Sequence, residues 1–158
     1  MRVAGLEDIE ALYRSRYASF LRVATAITAD EHLAADAVHD GFVRAVRYRR
    51  RCRGSLEGWV WRIVVNEARK ARRAVPREAP LEPASPSNGG EPDGEVRALV
   101  AALPERQRIA LFLRYYADLD YAAIAVALDV APGTVAASLN AAHSSLRRQL
   151  QEVDRCRI

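Results

Sequence analysis

Residues 76–94, PREAPLEPASPSNGGEPDG, contain five of the chain's seven prolines, three of its eight glycines and one leucine. So few apolar side chains bury too little surface to offset the entropy of ordering the segment, which therefore reads as a flexible linker. The chain of 158 residues, 50% of them hydrophobic, is thereby divided into residues 1–75 and residues 95–158, each of a size to fold around one small core.

Both pieces carry the period of amphipathic helices. Leu6, Ile9, Leu12, Tyr13, Phe20, Leu21, Ala24 and Ile27 form one stripe and predict a helix over 6–27. Thr28 and Glu31 have capping-box spacing, and the stripe through Leu33, Ala34, Ala37, Val38, Phe42, Ala45 and Val46 predicts a second helix over 30–50. Gly54 breaks the chain, Ser55 is placed to cap, and Leu56, Trp59, Val60, Ile63, Val64 and Ala68 carry a third helix to about residue 74. Beyond the linker, Glu95 to Leu103 is a short helix stopped by Pro104, which opens the next one, running to Tyr116. Asp120 is placed to cap YAAIAVAL, and after Asp129–Ala131 a fourth helix runs from Pro132 to about Glu152. The fold class is all-α: a three-helix domain and a four-helix domain joined by a flexible linker.

The last two helices, one short and one long about a three-residue turn, have the layout of a helix-turn-helix. Ala125 is small enough for the two to approach, and Val130, Val135 and Leu139 fall on the core side. Asp129 stands where glycine is usual, which its tolerance of the left-handed conformation permits. From Val130 to Leu146 this segment holds no Lys, Arg, Asp or Glu, so any reading of DNA by its helix falls to neutral groups.

Charge is distributed unevenly. Residues 1–75 carry 15 basic and 9 acidic side chains, residues 76–94 carry 1 and 4, and residues 95–158 carry 8 and 7, for a net +4. Every basic residue except Lys70 is arginine, whose fork suits phosphate. The runs RYRRRCR at 47–53 and RKARR at 69–73 point to a polyanionic partner.

Other classes are disfavoured. No apolar run approaches the roughly 20 residues that span a bilayer, and the opening MRVAGLEDIEALYRSRY is amphipathic from the start, unlike a secretory leader. The expected location is the cytoplasm, without membrane insertion. Cys52 and Cys156 have no partners at metal-ligand spacing and read as reduced thiols, so neither metal nor cofactor is expected. The arginines around Cys52 favour a lowered thiol pKa, yet no His and Asp pairing accompanies it, and no enzymatic activity is expected.

The order of parts resembles the extracytoplasmic-function sigma factors of bacterial RNA polymerase over almost the whole chain. LYRSRYASFLRVATAIT and ADAVHDGFVRAV are similar to the polymerase-binding half of sigma region 2, and SLEGWVWRIVVNEARKARR to its promoter-melting half. LPERQRIALFLRYYADLDYAAIAVALDVAPGTV is similar to region 4. The sequence starts in region 2, and only the linker joins the two regions, so the segments that primary sigma factors add are expected to be absent.

The resemblance implies an alternative sigma factor that binds core RNA polymerase through its largest-subunit clamp and its flap, and directs it to promoter DNA. Region 2 would span 1–75 and region 4 would span 95–158. Asp36, His39, Asp40 and Phe42 match the polymerase-binding positions, with the acids orienting a basic partner and Phe42 as apolar anchor. Asn66 matches the position near the non-template minus-ten strand, where an amide suits a base edge. Arg62, Arg69, Lys70, Arg72 and Arg73 would hold phosphates, Arg53 belongs to the base-capturing loop, and Trp61 would stack on a base while Trp59 joins the core. That loop departs from the family at Cys52, where an aromatic residue is common. For the minus-thirty-five element the resemblance implies Gly133 and Thr134 at a helix N-terminus, then Ser138, Asn140, His143 and Arg147. The family usually places basic residues along this helix. An anti-sigma partner is common in the family too. Two other readings stay open: a helix-turn-helix regulator acting without polymerase, and a sigma-like protein whose C-terminal domain docks a protein rather than DNA.

Overall fold

A computed structural model describes residues 3–76 and 94–157, so the expected linker lies almost wholly outside the described residues. The N-terminal half consists of α1 (Leu6–Thr28), α2 (Glu31–Arg47) and α3 (Leu56–Ala74), with one 3-10 turn at Arg49–Arg51. The C-terminal half consists of α4 (Gly94–Ala101), α5 (Glu105–Tyr115), α6 (Tyr121–Leu128) and α7 (Pro132–Cys156). Strands are absent among the described residues.

Local chemistry sets the helix ends. Ser55 caps α3 by accepting from the Gly58 amide at 3.2 Å, and Asp120 caps α6 by accepting from the Ala123 amide at 2.8 Å. The expected capping box at Thr28 and Glu31 does not form. Thr28 remains in α1 and its hydroxyl donates to the Ala24 carbonyl, while Ala29 turns left-handed at φ 57°. Asp30 then caps α2, accepting from the amides of His32 and Leu33 at 2.8 and 3.0 Å. α2 also stops at Arg47, short of the expected residue 50, because Arg49–Arg51 tighten into the 3-10 turn. Gly54, at φ 74°, turns the chain into α3.

An aromatic stack lies at the centre of the first half. Phe20 of α1 stacks on Trp61 of α3 with centroids 3.8 Å apart and meets Phe42 of α2 edge-on at 5.0 Å. Val23, Ala24, Val38, Val64 and Val65 complete the packing with no exposed surface. Gly41 lets α2 and α3 close: a Cβ there would lie 2.7 Å from Val64 Cγ2 and 3.2 Å from Val64 Cα. In the second half, Ile109 and Leu113 of α5, Ile124 of α6, and Val135 and Leu139 of α7 form the core. Asp129 takes the expected left-handed conformation, φ 56°, and its amide donates back into α6. Ala125 is buried where α6 and α7 meet, and Pro132 opens α7.

The halves pack together, with α6 against α3 and the start of α5 near its far end. Arg16 of α1 donates to the Ala117 carbonyl and lies 3.3 Å from Glu57, and Arg22 lies over the Tyr116 ring at 5.5 Å. Among the described residues no single helix is long and apolar enough to cross a membrane. α6 and α7 meet that measure only as a pair bent by 99°.

Candidate nucleic-acid interface

α3 is amphipathic, with a core face and, beside it, a stripe of polar side chains. Val60, Trp61, Val64, Val65 and Ala68 are buried, and Arg62, Asn66, Arg69 and Arg73 recur every three or four residues on a second stripe that begins at Gly58. A helix rises about 1.5 Å per residue, so Arg62 and Arg69 stand about 10 Å apart along the axis with the exposed Asn66 amide between them. Four of the residues expected at the minus-ten strand therefore share one stripe. Lys70 and Arg72 flank it, and Lys70 lies 3.8 Å from Glu67, which also pairs with Arg44 of α2 at 2.8 Å.

Two of the stripe's guanidiniums already face carboxylates of the C-terminal half. Arg62 reaches Asp129 at 3.0 Å, and Arg69 donates through Nε to Glu105. The sequence marks Asp129 only as a turn residue and Glu105 not at all; nothing in their local spacing signals a partner 67 or 36 residues away.

The arginine-rich loop beside α3 is held by its own backbone. Arg53 donates to the carbonyls of Arg50 and Cys52 at 2.8 and 3.2 Å, Arg49 donates to Val46, and Arg51 covers the Tyr48 ring at 4.7 Å. Arg47, Tyr48, Arg49, Arg50 and Arg51 line a shallow pocket of about 380 Å³. The lowered thiol pKa expected for Cys52 is corrected: burial pushes it up, against the smaller opposing pull of the Arg53 charge. Among the described residues no cluster of His, Cys, Asp and Glu has metal-binding geometry.

Of the two tryptophans, Trp61 does not take its expected place, and Trp59 packs against the core without being fully buried in it. Trp61 is fully buried on Phe20 and cannot stack on a base, whereas Trp59 is only partly buried at the core's margin. The stripe that includes Trp59 runs through Ile63, which is itself half-buried, and the true core face lies one residue further round the helix.

On α2, the exposed residues Asp36, His39 and Asp40 lie on one face, as expected for docking a basic partner. Phe42 does not join them. It is 6% exposed and packs edge-on against Phe20 and Tyr13, because it follows Val38 on the inward face. The apolar side chain beside the acids is Val43, 51% exposed. Its spacing of three from Asp40 and seven from Asp36 was a signal available in the sequence.

α7 presents Gly133, Ala137, Asn140, Ser144 and Arg147 along one exposed stripe. Ser138, expected among the base-reading groups, is instead 9% exposed and turned inward beside Leu139. Thr134 is half-buried near the helix start, and His143 is half-buried with Nε2 2.8 Å from the hydroxyl of Tyr115, an exposed residue of α5. Tyr115 could not be found from α7 alone, since the pairing is made across helices.

Comparison with known proteins assigns the two halves separately. Residues 12–77 match the family model for sigma-70 region 2, and residues 93–146 match that for sigma-70 region 4. Among solved structures, the chain is similar to CnrH in complex with the cytosolic domain of CnrY, at 20% identity and TM-score 0.73, covering 94% of this chain and 91% of that one. It is also similar to the sigma factor RpoE in complex with the anti-sigma factor NepR from Bartonella quintana, at 19% identity and TM-score 0.74, covering 92% of this chain and 98% of that one. At such identities these two likenesses speak for the fold.

Proposed function

The chain belongs to the sigma-70 family, with region 2 and region 4 separated by only residues 78–92, and from that premise we propose how its surfaces divide the work. It is an alternative sigma factor that directs transcription initiation, with core RNA polymerase and promoter DNA as partners. So short a separation leaves no room for a further domain between the regions, which is the organisation of the extracytoplasmic-function group.

The observation that carries the division of labour is the α3 stripe, Arg62, Asn66, Arg69 and Arg73, which alternates guanidiniums with one amide on a rigid helix. Such a face suits a single strand, with arginines on phosphates and Asn66 on a base edge, and the energy of unstacking bases is returned by these contacts. Arg53, Lys70 and Arg72 add positive charge at its borders. Asp36, His39, Asp40 and Val43 on α2 form the docking face for the polymerase clamp, the acids orienting it and Val43 replacing Phe42 as the apolar contact. Gly133, Thr134, Asn140, His143 and Arg147 of region 4 read the minus-thirty-five element, and region 4 meets the polymerase flap. The protein acts inside the cytoplasm and leaves the chemistry of RNA synthesis to the polymerase. An anti-sigma factor is a further partner, as one is for the sigma factor RpoE of Bartonella quintana.

Two variants test the assignment. Asn66→Ala lowers promoter opening and leaves polymerase binding intact; Asp40→Arg weakens polymerase binding, since a like charge against a basic partner costs on the order of several kcal/mol, and leaves the affinity for single-stranded DNA unchanged. Equal losses in both assays for either variant would contradict these roles. The stripe of α7, uncharged until Arg147, favours a second reading, in which region 4 docks a protein; it requires that changing Asn140 and His143 leave transcription untouched.

A further inference from the structure

α7 turns a face of small side chains outward. Gly133, Ala137, Asn140 and Ser144 form its exposed stripe, and Arg147 is the first charge along it. Few groups on such a face can bond a base edge, and each discriminates only if it is held in one orientation. His143 stands at the border of the stripe, one turn after Asn140 and one turn before Arg147. It is half-buried, and its Nε2 lies 2.8 Å from the hydroxyl of Tyr115 at the end of α5. The two rings meet edge-on with centroids 5.9 Å apart.

Tyr115 does not hold the core. It is 64% exposed, whereas its neighbour Tyr116 stacks on Phe112 and lies under Arg22. What its hydroxyl fixes is the imidazole. A neutral imidazole carries one N–H, so where the hydroxyl donates to Nε2 that N–H must be on Nδ1, at the other edge of the ring. The reverse arrangement, with Nε2–H donating to the phenol oxygen, turns Nδ1 into an acceptor. A DNA acceptor facing Nδ1 therefore selects the first arrangement. In the major groove such acceptors are N7 of either purine, O6 of guanine and O4 of thymine.

We propose that Tyr115 is a positioning residue for minus-thirty-five recognition: its hydroxyl donates to Nε2 of His143 and holds Nδ1–H against one acceptor on a base edge. The reading surface then extends from α7 to the end of α5. Without the hydroxyl the ring rotates and spreads over two tautomers, and the donor is lost from part of them. The contact is made by neutral groups, so it contributes to the choice of base and leaves the salt dependence alone.

This role rests on the reading of α7 as the minus-thirty-five helix, and the test separates the two. Core polymerase is combined with wild type, Tyr115→Phe, His143→Gln or the double variant. Each holoenzyme transcribes a pool of templates built from one promoter on which wild type starts, with every base pair of the minus-thirty-five element randomised, and the transcribed templates are sequenced. Tyr115→Phe is expected to lower the preference at one base pair by about fivefold, the worth of one hydrogen bond, and to leave the other positions unchanged. His143→Gln is expected to lower it at the same base pair, and the double variant to lose no more than His143→Gln alone, because the two residues act as one unit. The thermal midpoint of Tyr115→Phe is expected to match that of wild type. Should His143→Gln fail to fold by circular dichroism, Tyr115→Phe decides the matter alone, since it keeps the ring at an exposed site. Unchanged preferences, or a loss spread evenly over all templates as a purely structural tie between helices would give, would overturn the positioning role and leave the sigma reading standing. Indifference of wild type to the whole upstream element would overturn the reading of α7 on which it rests.

Discussion

The two helices proposed to hold DNA would do so by opposite means. α3 sets Arg62, Arg69 and Arg73 along one stripe around a single amide, whereas α7 sets Gly133, Ala137, Asn140 and Ser144 along its stripe and reaches a charge only at Arg147. Electrostatic attraction supplies affinity that any sequence can use and that salt removes; hydrogen bonds to base edges supply discrimination and little else. The division suits a sigma factor whose affinity for DNA comes from region 2 and whose choice of upstream sequence comes from region 4.

The contrast can be tested in order of expected effect. The largest concerns what holds α3 in place: Trp61→Ala empties the site stacked on Phe20 and should destabilise region 2 by about 3–5 kcal/mol in denaturant unfolding, while Trp59→Ala, at the margin of the core, should cost about 1 kcal/mol. Similar losses from both would mean that the two faces of α3 are not divided as described. Next in size, Arg62→Ala with Arg69→Ala should flatten the salt dependence of promoter-complex formation by about 1.4 in slope, at roughly 0.7 per single-strand phosphate contact, and Arg147→Ala with Arg148→Ala, the exposed arginine next to it, by no more than about 0.9, one contact on duplex DNA. Equal flattening by the two pairs would erase the electrostatic difference between the helices. Smallest is Asn140→Ala with His143→Ala, expected to cost about 1–3 kcal/mol of discrimination at a minus-thirty-five-dependent promoter while leaving the salt slope unchanged. Unaltered transcription would remove base reading from α7 and favour its use as a protein-docking surface.

Most of the fold was legible in the sequence because local signals and global packing agree there. Ser55, Asp120, Asp129 and Pro132 each end or begin a helix for a reason visible within four residues of chain, and the structure uses all of them. Sequence and structure part where two neighbouring stripes are both apolar. Phe42 and Val43, or Trp59 and Trp61, differ only in which way a helix is rotated, and that rotation is set by contacts with Phe20 of another helix. Thr28 and Asp30 competed for one cap, and the left-handed Ala29 decided between them. The candidate site was legible to the same degree. The residues of the α3 stripe follow from their spacing, but the pairing of Arg62 with Asp129 and Arg69 with Glu105, and of His143 with Tyr115, joins segments remote in sequence. For Cys52, counting nearby arginines pointed one way and burial points the other, because desolvation outweighs the Arg53 charge.

The most direct measurement is run-off transcription by purified core polymerase with this protein on fragmented genomic DNA from its source, with the transcript starts sequenced. The account predicts starts that share one motif near minus ten and another near minus thirty-five, lost with Asn66→Ala and redistributed with Asn140→Ala and His143→Ala. Tight binding to core polymerase with no defined starts would contradict it.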